Sequence, residues 1–336
     1  MDSDKIVLAH GSGGKLTQQL FRQLFQPYFN SPYLDEAHDG AKLDLNGQKV
    51  AFSTDTFVVK PLFFPGGNIG DLAVNGTVND IAMCGASPLF LSAGFVLEEG
   101  FPLEKLQQIV ESMSKAAKKA GVQLVTGDTK VVEKGSADGV FINTAGIGLI
   151  RPGINISPRN AQIGDVVIIN GTIADHGIAI LSKREGMSFE SDIISDTTAL
   201  NDLVAAVLNT SPTVHVLRDP TRGGLAAALN EIAESAGVSI ELNEEDIPLR
   251  DQVKAVASLL GIDPLYVANE GKVLIIAPEK DASAILETMT ALPQGKEARV
   301  IGRIVAGTGH RVALKTTIGT SRMVDMPLGE RLPRIC

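Results

Sequence analysis

The hydrophobic pattern of the chain predicts two successive units of strands and helices that join near residue 153. In the first unit, apolar residues recur with the period of a strand or of a helix. The strand-like segments are residues 49–52, 122–125 and 139–150, and the helical segments are residues 16–25, 70–84 and 103–120. Pro27 is expected to end the first of these helices and Gly121 the last.

The second unit continues the mixture of strands and helices. Its strand-like segments are residues 165–170, 272–277, 300–305 and 311–314, and its helical segments are residues 178–184, 198–208, 225–236, 253–260 and 282–290. The chain is therefore expected to have an α+β fold. Its expected parts are an N-terminal loop and helix, an N-terminal domain, a C-terminal α/β domain and a tail without periodicity, over residues 1–36, 37–153, 154–316 and 317–336.

The helix predicted at residues 70–84 is apolar on almost every side and contains no Lys, Arg or Glu. Such a helix is usually buried, so its polar groups need partners inside the protein. Asp71, Asn75 and Asn79 form a polar stripe, and Asp80 lies away from the apolar stripe. Two interpretations are open: the polar groups cap neighbouring loops, or the helix lines a polar metal–phosphate site. We favour the second.

An Asn-Gly pair interrupts the same helix at Gly76. Glycine in a helix interior costs roughly 1 kcal/mol relative to better helix formers. We therefore expect another backbone or a ligand to approach the helix closely at this position.

Composition narrows the classes of partner. A net charge of −9 argues against nucleic acid or an anionic membrane as the main partner. A phosphate ligand would need local lysines, helix N-termini or a metal ion. No apolar stretch approaches 18 residues and no signal peptide is visible, so we expect no membrane association. Two cysteines without framework spacing fit a reducing cytoplasm.

A glycine-rich loop precedes the first helix. Gly11, Gly13 and Gly14 are followed by Lys15, and backbone N–H groups in such a loop suit an anion. The spacing matches neither a P-loop nor a dinucleotide-binding loop. A plain N-terminal tail is the alternative interpretation.

Several acidic residues lie beside predicted strands. Asp39 precedes a strand and Asp55 follows one, where either could bind a cation or serve as a turn residue. Residues 126–130 form a predicted turn whose Asp128 and Lys130 offer a metal ligand and a phosphate counter-charge. Asp219 lies in a loop, residues 217–224, that suits an anion or metal, although an ordinary helix start has the same composition.

The last residue of the chain is a cysteine, Cys336. A tail without periodicity is by default a frayed terminus. An exposed thiol at the end of a chain is also a chemical handle that can be modified and moved into a site.

These segments together resemble the superfamily of ATP-dependent enzymes that includes aminoimidazole ribonucleotide synthase, selenophosphate synthetase and thiamine monophosphate kinase. The resemblance covers most of residues 1–316. Within that superfamily the chain is most similar to the HypE family of carbamoyl dehydratases, which assemble NiFe hydrogenases. The motifs that carry this resemblance are residues 10–15 (HGSGGK), 70–86 (GDLAVNGTVNDIAMCGA), 218–224 (RDPTRGG) and 333–336 (PRIC).

The resemblance implies the aminoimidazole ribonucleotide synthase-like two-domain fold, in which two N-terminal sheets pair in a homodimer. It implies ATP and Mg²⁺ in a groove between the domains. The implied metal ligands are Asp39, Asp55, Asp80, Asp128 and Asp219. The implied ATP-binding residues are Gly11, Gly13, Gly14, Lys15, Lys42, Asn75, Asn79, Gly127 and Thr129, and the implied catalytic residues are Cys336, Glu270 and Lys130.

The implied reaction is the ATP-dependent dehydration of a carbamoyl group on Cys336 to a thiocyanate, which supplies cyanide for the hydrogenase iron. The implied partners are the carbamoyltransferase HypF and the HypC–HypD iron–cyanide scaffold. Glu270 is the candidate base, or alternatively a structural acid at a turn. Two other functions stay open: a kinase or synthase acting on a diffusible substrate, and a non-catalytic, nucleotide-gated carrier that presents Cys336.

Overall fold

Two β-sheets, one in each half of the chain, carry the fold. The computed structural model describes residues 5–29, 31–36, 38–186, 193–307, 309–329 and 334–336. The strands are β1 (Ala41–Leu45), β2 (Gln48–Phe57), β3 (Phe63–Phe64), β4 (Gly67–Asn68), β5 (Ala86–Glu98), β6 (Gln123–Val132), β7 (Val140–Ile150), β8 (Asp165–Ile169), β9 (Val216–Arg218), β10 (Ser239–Asn243), β11 (Leu274–Pro278), β12 (Arg299–Val305), β13 (Val312–Lys315) and β14 (Ser321–Met323). The helices are α1 (Lys15–Leu20), α2 (Gln26–Phe29), α3 (Ile69–Met83), α4 (Leu103–Ala120), α5 (Asp175–Arg184), α6 (Asn201–Thr210), α7 (Gly224–Ala236), α8 (Asp251–Leu260) and α9 (Ala282–Thr290). None of these helices is both long enough and apolar enough to cross a bilayer.

The N-terminal sheet has five strands in the order β1-β2-β7-β5-β6. All neighbours are antiparallel except β5 and β6, which run parallel. The expected mixed sheet is therefore confirmed. Helices α3 and α4 cover one face, because α3 packs against α4 and against strands of this sheet.

The second sheet has seven strands in the order β14-β13-β10-β12-β8-β11-β9. Every residue of β8 is buried, as the apolar run that follows Asp165 predicts. The helices of this half bury apolar faces against the same core. The predicted α+β organisation is confirmed.

Helix α3 lies between the two halves, since it contacts the N-terminal sheet and also α6 and β9. Thirteen of its 15 residues are buried, which confirms that the helix lacks a solvent face. Asp71 belongs to its N-terminal cap, where it accepts a hydrogen bond from the Asn68 N–H at 2.7 Å.

The structure also explains the glycine in the middle of α3. A Cβ at Gly76 would lie 2.9 Å from the Phe57 ring, a distance that real Cβ contacts do not show. The expected close approach is present, and the Phe57 side chain of the core makes it where a backbone or a ligand was expected.

Three predicted boundaries are wrong. Strand β2 continues through Asp55 because it pairs with β7 as far as Phe57. Residues 126–130 form no turn, because β6 pairs with β5 as far as Val132. The N-terminal helical stretch passes Pro27 and ends at Phe29, with a π-helical turn at Phe21–Phe25.

The segment expected as a tail begins with ordered structure. Strand β14 pairs with β13 and extends the second sheet to its edge. Residues 330–333 lie outside the described residues. The movement expected of the tail stays a prediction.

Candidate functional site: an acidic cluster at the domain junction

Three carboxylates from different parts of the chain meet beside α3. Asp39 precedes β1, Asp80 projects from the end of α3, and Asp219 follows β9. One oxygen of each carboxylate lies within 4.8 Å of the others. The sequence separation of these residues is large, so the contact of the two domains creates the cluster.

The neighbours of the cluster satisfy its oxygens only in part. Ser53 Oγ lies 2.8 Å from Asp80 Oδ2, and Arg218 Nη1 lies 2.7 Å from Asp39 Oδ1. The same guanidinium lies 2.6 Å from Glu231, so its charge is shared with a fourth acid. Asp39 Oδ2 is buried and has no hydrogen-bond partner among the described residues.

The electrostatics of the cluster favour bound positive charge. Burial raises the pKa of Asp80 well above its usual range, and the charges of Asp219, Asp55 and Asp39 raise it further. Burial also raises the pKa of Asp219, with Asp39 adding to the effect. Ionised carboxylates in this arrangement repel one another unless a cation lies between them. Oxygen ligands around an incompletely satisfied centre fit a hard divalent cation.

Asp55 and Glu270 flank the cluster. Burial raises the pKa of Asp55, while Arg222 opposes this shift. Burial raises the pKa of Glu270 well above its usual range, and the carboxylates of Asp55, Asp196 and Asp219 contribute. Glu270 Oε1 is buried without a hydrogen-bond partner among the described residues. Burial and these neighbouring carboxylates therefore favour the protonated form of Glu270.

Asn75 and Asn79 tie α3 to the second domain. The Asn75 amide lies 3.2 Å from Thr197 Oγ1. The Asn79 amide donates to the Thr198 and Glu270 carbonyl oxygens at 3.0 and 3.3 Å, and its oxygen accepts from the Leu200 N–H at 2.8 Å. Both amides hold loops together, as in the capping interpretation of this helix, while Asp80 points into the acidic cluster.

The glycine-rich loop packs against two segments of the second domain. A Cβ at Gly13 would lie 3.2 Å from Arg222, and one at Gly14 would lie 2.4 Å from the Pro327 carbonyl oxygen. The Arg222 guanidinium donates to the Gly11 carbonyl oxygen at 3.0 Å. The glycines thus bring the loop against the Arg222 segment, and the Lys15 N–H donates to Pro327 at 3.0 Å.

Lys42 is engaged within its own neighbourhood. Its ammonium lies 2.7 Å from the Ile156 carbonyl oxygen and 2.7 Å from Glu36. These contacts join the N-terminal domain to the start of the second one.

The β6 residues do not join the acidic cluster within one chain. Asp128 aligns with Gly94, Asn143 and Thr56 across the sheet, which places it three strand spacings, roughly 14 Å, from β2. Asp128 and Lys130 are 70% and 69% exposed and pair at 2.5 Å. They lie on the sheet face opposite α3.

Gly127 and Thr129 are the other two candidate residues on β6, and both have neighbours on β5. A Cβ at Gly127 would lie 2.3 Å from the Ala93 carbonyl oxygen, so this glycine is required by the neighbouring strand. Thr129 lies on the same edge strand, beside Phe95.

The end of the chain docks against the segment that follows β2. The Val58 N–H donates to the main-chain oxygen of Cys336 and the Lys60 N–H to the carbonyl oxygen of Arg334, both at 3.1 Å. Ile335 is buried. The Cys336 side chain is half-buried. The terminal residues therefore add an antiparallel extension beside the strand that carries Asp55.

His176, which was not among the residues predicted from the sequence, contacts this docked end. Its Nε2 lies 2.8 Å from the Ile335 carbonyl oxygen. The two residues are 159 positions apart in the chain, so no local pattern marks the contact. Arg218 and Arg222 lie in a segment that was singled out, but their pairing with Asp39 and with Gly11 depends on the folded domains.

Family models match both halves of the chain. The N-terminal domain of AIR synthase related proteins matches residues 37–150, and the C-terminal domain matches residues 162–315. The carbamoyl dehydratase HypE of Azotobacter vinelandii is 53% identical, over 98% of this chain and 97% of its own length. That of Escherichia coli K12 is 46% identical, over 99% and 100%.

Solved structures agree with these sequence matches. A crystal structure of HypE in complex with ATP superposes with a TM-score of 0.84 and 46% identity, covering 99% of this chain and 100% of that one. A HypE–HypF complex gives 0.88 and 49%, covering 92% and 99%. A thiamine monophosphate kinase complex at 18% identity, covering 96% and 99% with a TM-score of 0.71, shares the fold.

We predict that Asp80→Asn stabilises the metal-free protein at high pH. Because the pKa of Asp80 is raised in the folded state, the folded protein binds this proton more tightly than the unfolded chain does. That contribution to stability is present at low pH and is lost as the pH rises through the raised pKa. Asparagine does not titrate, so the free energy of unfolding of the variant should exceed that of the wild type at pH 8, with the difference shrinking toward pH 4.

Urea unfolding in chelator at a series of pH values measures this difference. Asp251→Asn, at an exposed carboxylate in the first turn of α8, is the matched control and should follow the wild type. An Asp80→Asn variant that is less stable than the wild type by the same amount at every pH would return this residue to a purely structural role.

Proposed function

The chain belongs to the HypE carbamoyl dehydratases of the AIR synthase related family, and from this premise we propose its reaction. The protein dehydrates a carbamoyl group carried on its own Cys336, and this step depends on ATP. The reaction supplies cyanide to the iron of NiFe hydrogenases. The docking of the chain end beside β2 is the observation that carries this proposal. Cys336 lies next to Val58, three residues beyond Asp55 and thus roughly 10 Å along the strand from that carboxylate. A short movement of the end would bring a group on its sulfur to the acidic cluster.

The chemical step needs a better leaving group than oxide. The carbonyl oxygen of the S-carbamoyl group attacks the γ-phosphorus of ATP, and ADP leaves. Removal of both protons from the nitrogen then forms the C≡N bond while the C–O bond breaks and phosphate leaves. The products are a thiocyanate on Cys336, ADP and phosphate, and most of the catalysis is positioning and charge stabilisation.

Asp39, Asp80 and Asp219 are the residues that would hold magnesium, because their oxygens converge and are incompletely satisfied. A magnesium ion held there would neutralise negative charge on the phosphates of ATP. Asp55 and Arg222 lie beside the same centre, where the arginine offers a counter-charge to phosphate.

Glu270 is our candidate base for the nitrogen protons. Its pKa is raised by burial and by the neighbouring carboxylates. Once positive charge compensates the cluster, this repulsion falls and Glu270 loses its proton more readily. The same change therefore prepares the site for ATP and gives the base its active form.

We propose that two copies pair through the outer face of the N-terminal sheet. Large apolar side chains are exposed there, among them Phe52, Phe90, Ile147 and Leu149. Phe52 and Phe90 both align with Ile147 on adjacent strands, so they form one continuous patch. Patches of this kind mark interaction sites.

Pairing would also give a role to the β6 residues that lie away from the acidic cluster. Asp128 and Lys130 share the exposed face with this patch. In a dimer they would lie near the groove of the other copy, where Lys130 could contact phosphate. Their assigned roles as ligand and catalytic residue therefore depend on the dimer.

The partners follow from the chemistry of the terminal thiol. We propose that a HypF carbamoyltransferase loads Cys336 and that a HypC–HypD complex receives the cyanide. A solved HypE–HypF complex superposes on this chain and supports the first pairing. A terminal thiol stays available for this cycle in the reducing cytoplasm.

We predict that Cys336→Ala abolishes carbamoyl loading and thiocyanate formation, with nucleotide binding nearly unchanged. Intact-mass spectrometry after incubation with carbamoyl phosphate, ATP and the transferase should show, on the wild type, the carbamoyl mass and then loss of one water. Adding one residue after Cys336 should strongly slow this conversion, because it lengthens the end that must fit.

Cys84→Ala is the control, because the Cys84 thiol is buried and burial raises its pKa. It should load as the wild type does. Loading or thiocyanate formation on the Cys336→Ala protein would show that the mechanism is wrong. ATP turnover that never depends on a carbamoylated Cys336 would favour a kinase or a carrier.

We predict that Ile147→Asp converts the dimer to a monomer and lowers ATP turnover at least tenfold. The substitution places a charge in the centre of the outer sheet face, where pairing would bury it without a partner. Sedimentation velocity measures the association state. Leu259→Asp, at an exposed position on α8, is the control and should leave the dimer intact. A wild-type protein that is monomeric at all concentrations yet fully active would refute the pairing.

A further inference from the structure

His176, on α5 of the second domain, makes a buried hydrogen bond to the docked chain end. Its Nε2 lies 2.8 Å from the carbonyl oxygen of Ile335, the residue before Cys336. The imidazole and the Ile335 side chain are both buried. The ring also packs edge-on against Phe64, with centroids 5.6 Å apart. The contact is therefore fixed on both sides.

The chemistry of the partners sets the direction of this hydrogen bond. A carbonyl oxygen only accepts, so Nε2 carries the hydrogen. Burial lowers the pKa of His176, which keeps the ring neutral and leaves Nδ1 as an acceptor. Ser195 Oγ, 2.7 Å from Nδ1, is then the donor to the ring.

The chain of hydrogen bonds continues from Ser195 into the loop before α6. The Thr197 N–H donates to Ser195 Oγ at 3.1 Å. Every bond from Thr197 to Ile335 thus points the same way, with one donor and one acceptor at each step. All of these hydrogen bonds form only while the end of the polypeptide is docked, because the Ile335 carbonyl oxygen is the final acceptor.

The same loop holds the backbone of Glu270. The Glu270 N–H donates to Asp196 Oδ1 at 3.1 Å. Burial alone would raise the pKa of Asp196, but Lys272, 3.0 Å away, holds it below its usual range. Asp196 lies between Ser195 and Thr197, so the hydrogen bonds of the docked end and those of Glu270 meet within three consecutive residues.

We propose that His176 is a positioning residue that couples docking of the Ile335–Cys336 end to the placement of Glu270, through Ser195 and the 195–197 loop. When the end leaves, the Nε2–H loses its acceptor in a buried site, and an unsatisfied buried donor is costly. The ring and Ser195 then rearrange, and the loop loses part of its support. The effect of His176 on catalysis rests on the proposed role of Cys336, whereas its effect on docking does not.

Three substitutions distinguish the steps of this series of hydrogen bonds. The amide nitrogen of Gln reaches the place of Nε2, so His176→Gln keeps the donor to Ile335. The shorter Asn side chain reaches the place of Nδ1, so His176→Asn keeps the contact with Ser195 and loses that donor. Ser195→Ala leaves the ring and the docked end in place but breaks the connection to the loop.

The first readout is the rate at which iodoacetamide alkylates Cys336, followed by peptide mass spectrometry on the full chain without ATP. We expect His176→Asn to react roughly tenfold faster than the wild type, the change of about one hydrogen bond in the docking equilibrium. His176→Gln and Ser195→Ala should stay within about twofold of the wild type. This measurement needs no carbamoyl chemistry, so it tests docking even if the proposed function fails.

The second readout is the single-turnover rate of water loss from protein already carbamoylated on Cys336. We expect Ser195→Ala and His176→Asn to lower this rate at least tenfold while the KM for ATP stays unchanged, with partial rescue in His176→Gln. Thermal melts of all three variants identify any that fail to fold, and Ser195→Ala, which removes a single hydroxyl, carries the test if His176→Asn unfolds.

Two results would overturn the inference. One is an alkylation rate of Cys336 in folded His176→Asn that equals the wild-type rate. The other is a normal rate of water loss in Ser195→Ala, which would confine His176 to holding the chain end.

Discussion

The repulsion among Asp39, Asp80 and Asp219 is the constraint on which the site depends. The fold brings these carboxylates within 4.8 Å of one another at the domain junction, where Asp219 is buried and Asp39 and Asp80 are half-buried. Arg218 compensates Asp39 but is shared with Glu231. The remaining charge must be met by protons or by a cation, and the raised pKa values of Asp80 and Asp219 favour bound protons when no cation is present.

Helix α3 connects this constraint to the rest of the molecule. It supplies Asp80 to the cluster, while Asn75 and Asn79 bind the loop before α6. That loop also receives the Glu270 N–H. A change of charge at the cluster therefore acts on Glu270 electrostatically, and a change at the docked chain end acts on it through hydrogen bonds. Cation binding and substrate docking would thus converge on one carboxylate.

The sequence predicts the fold class and most elements, because period and burial agree in segments such as α3 and β8. It does not predict which acids meet. Asp39, Asp80 and Asp219 were all candidates, but so was Asp128, which the sheet register places on the opposite face. The residue types at positions 126–130 are typical of a turn, and only the pairing with β5 makes this segment a strand. His176 was missed since its partner lies at the far end of the chain.

Anomalous diffraction from crystals grown with Mn²⁺ and a non-hydrolysable ATP analogue tests the central claim most directly. We predict a manganese peak about 2.1 Å from one oxygen each of Asp39, Asp80 and Asp219, in contact with the triphosphate. The peak should be lost in Asp80→Asn crystals grown in the same way. Bound nucleotide with no manganese at these three carboxylates, or with manganese held elsewhere, would contradict it.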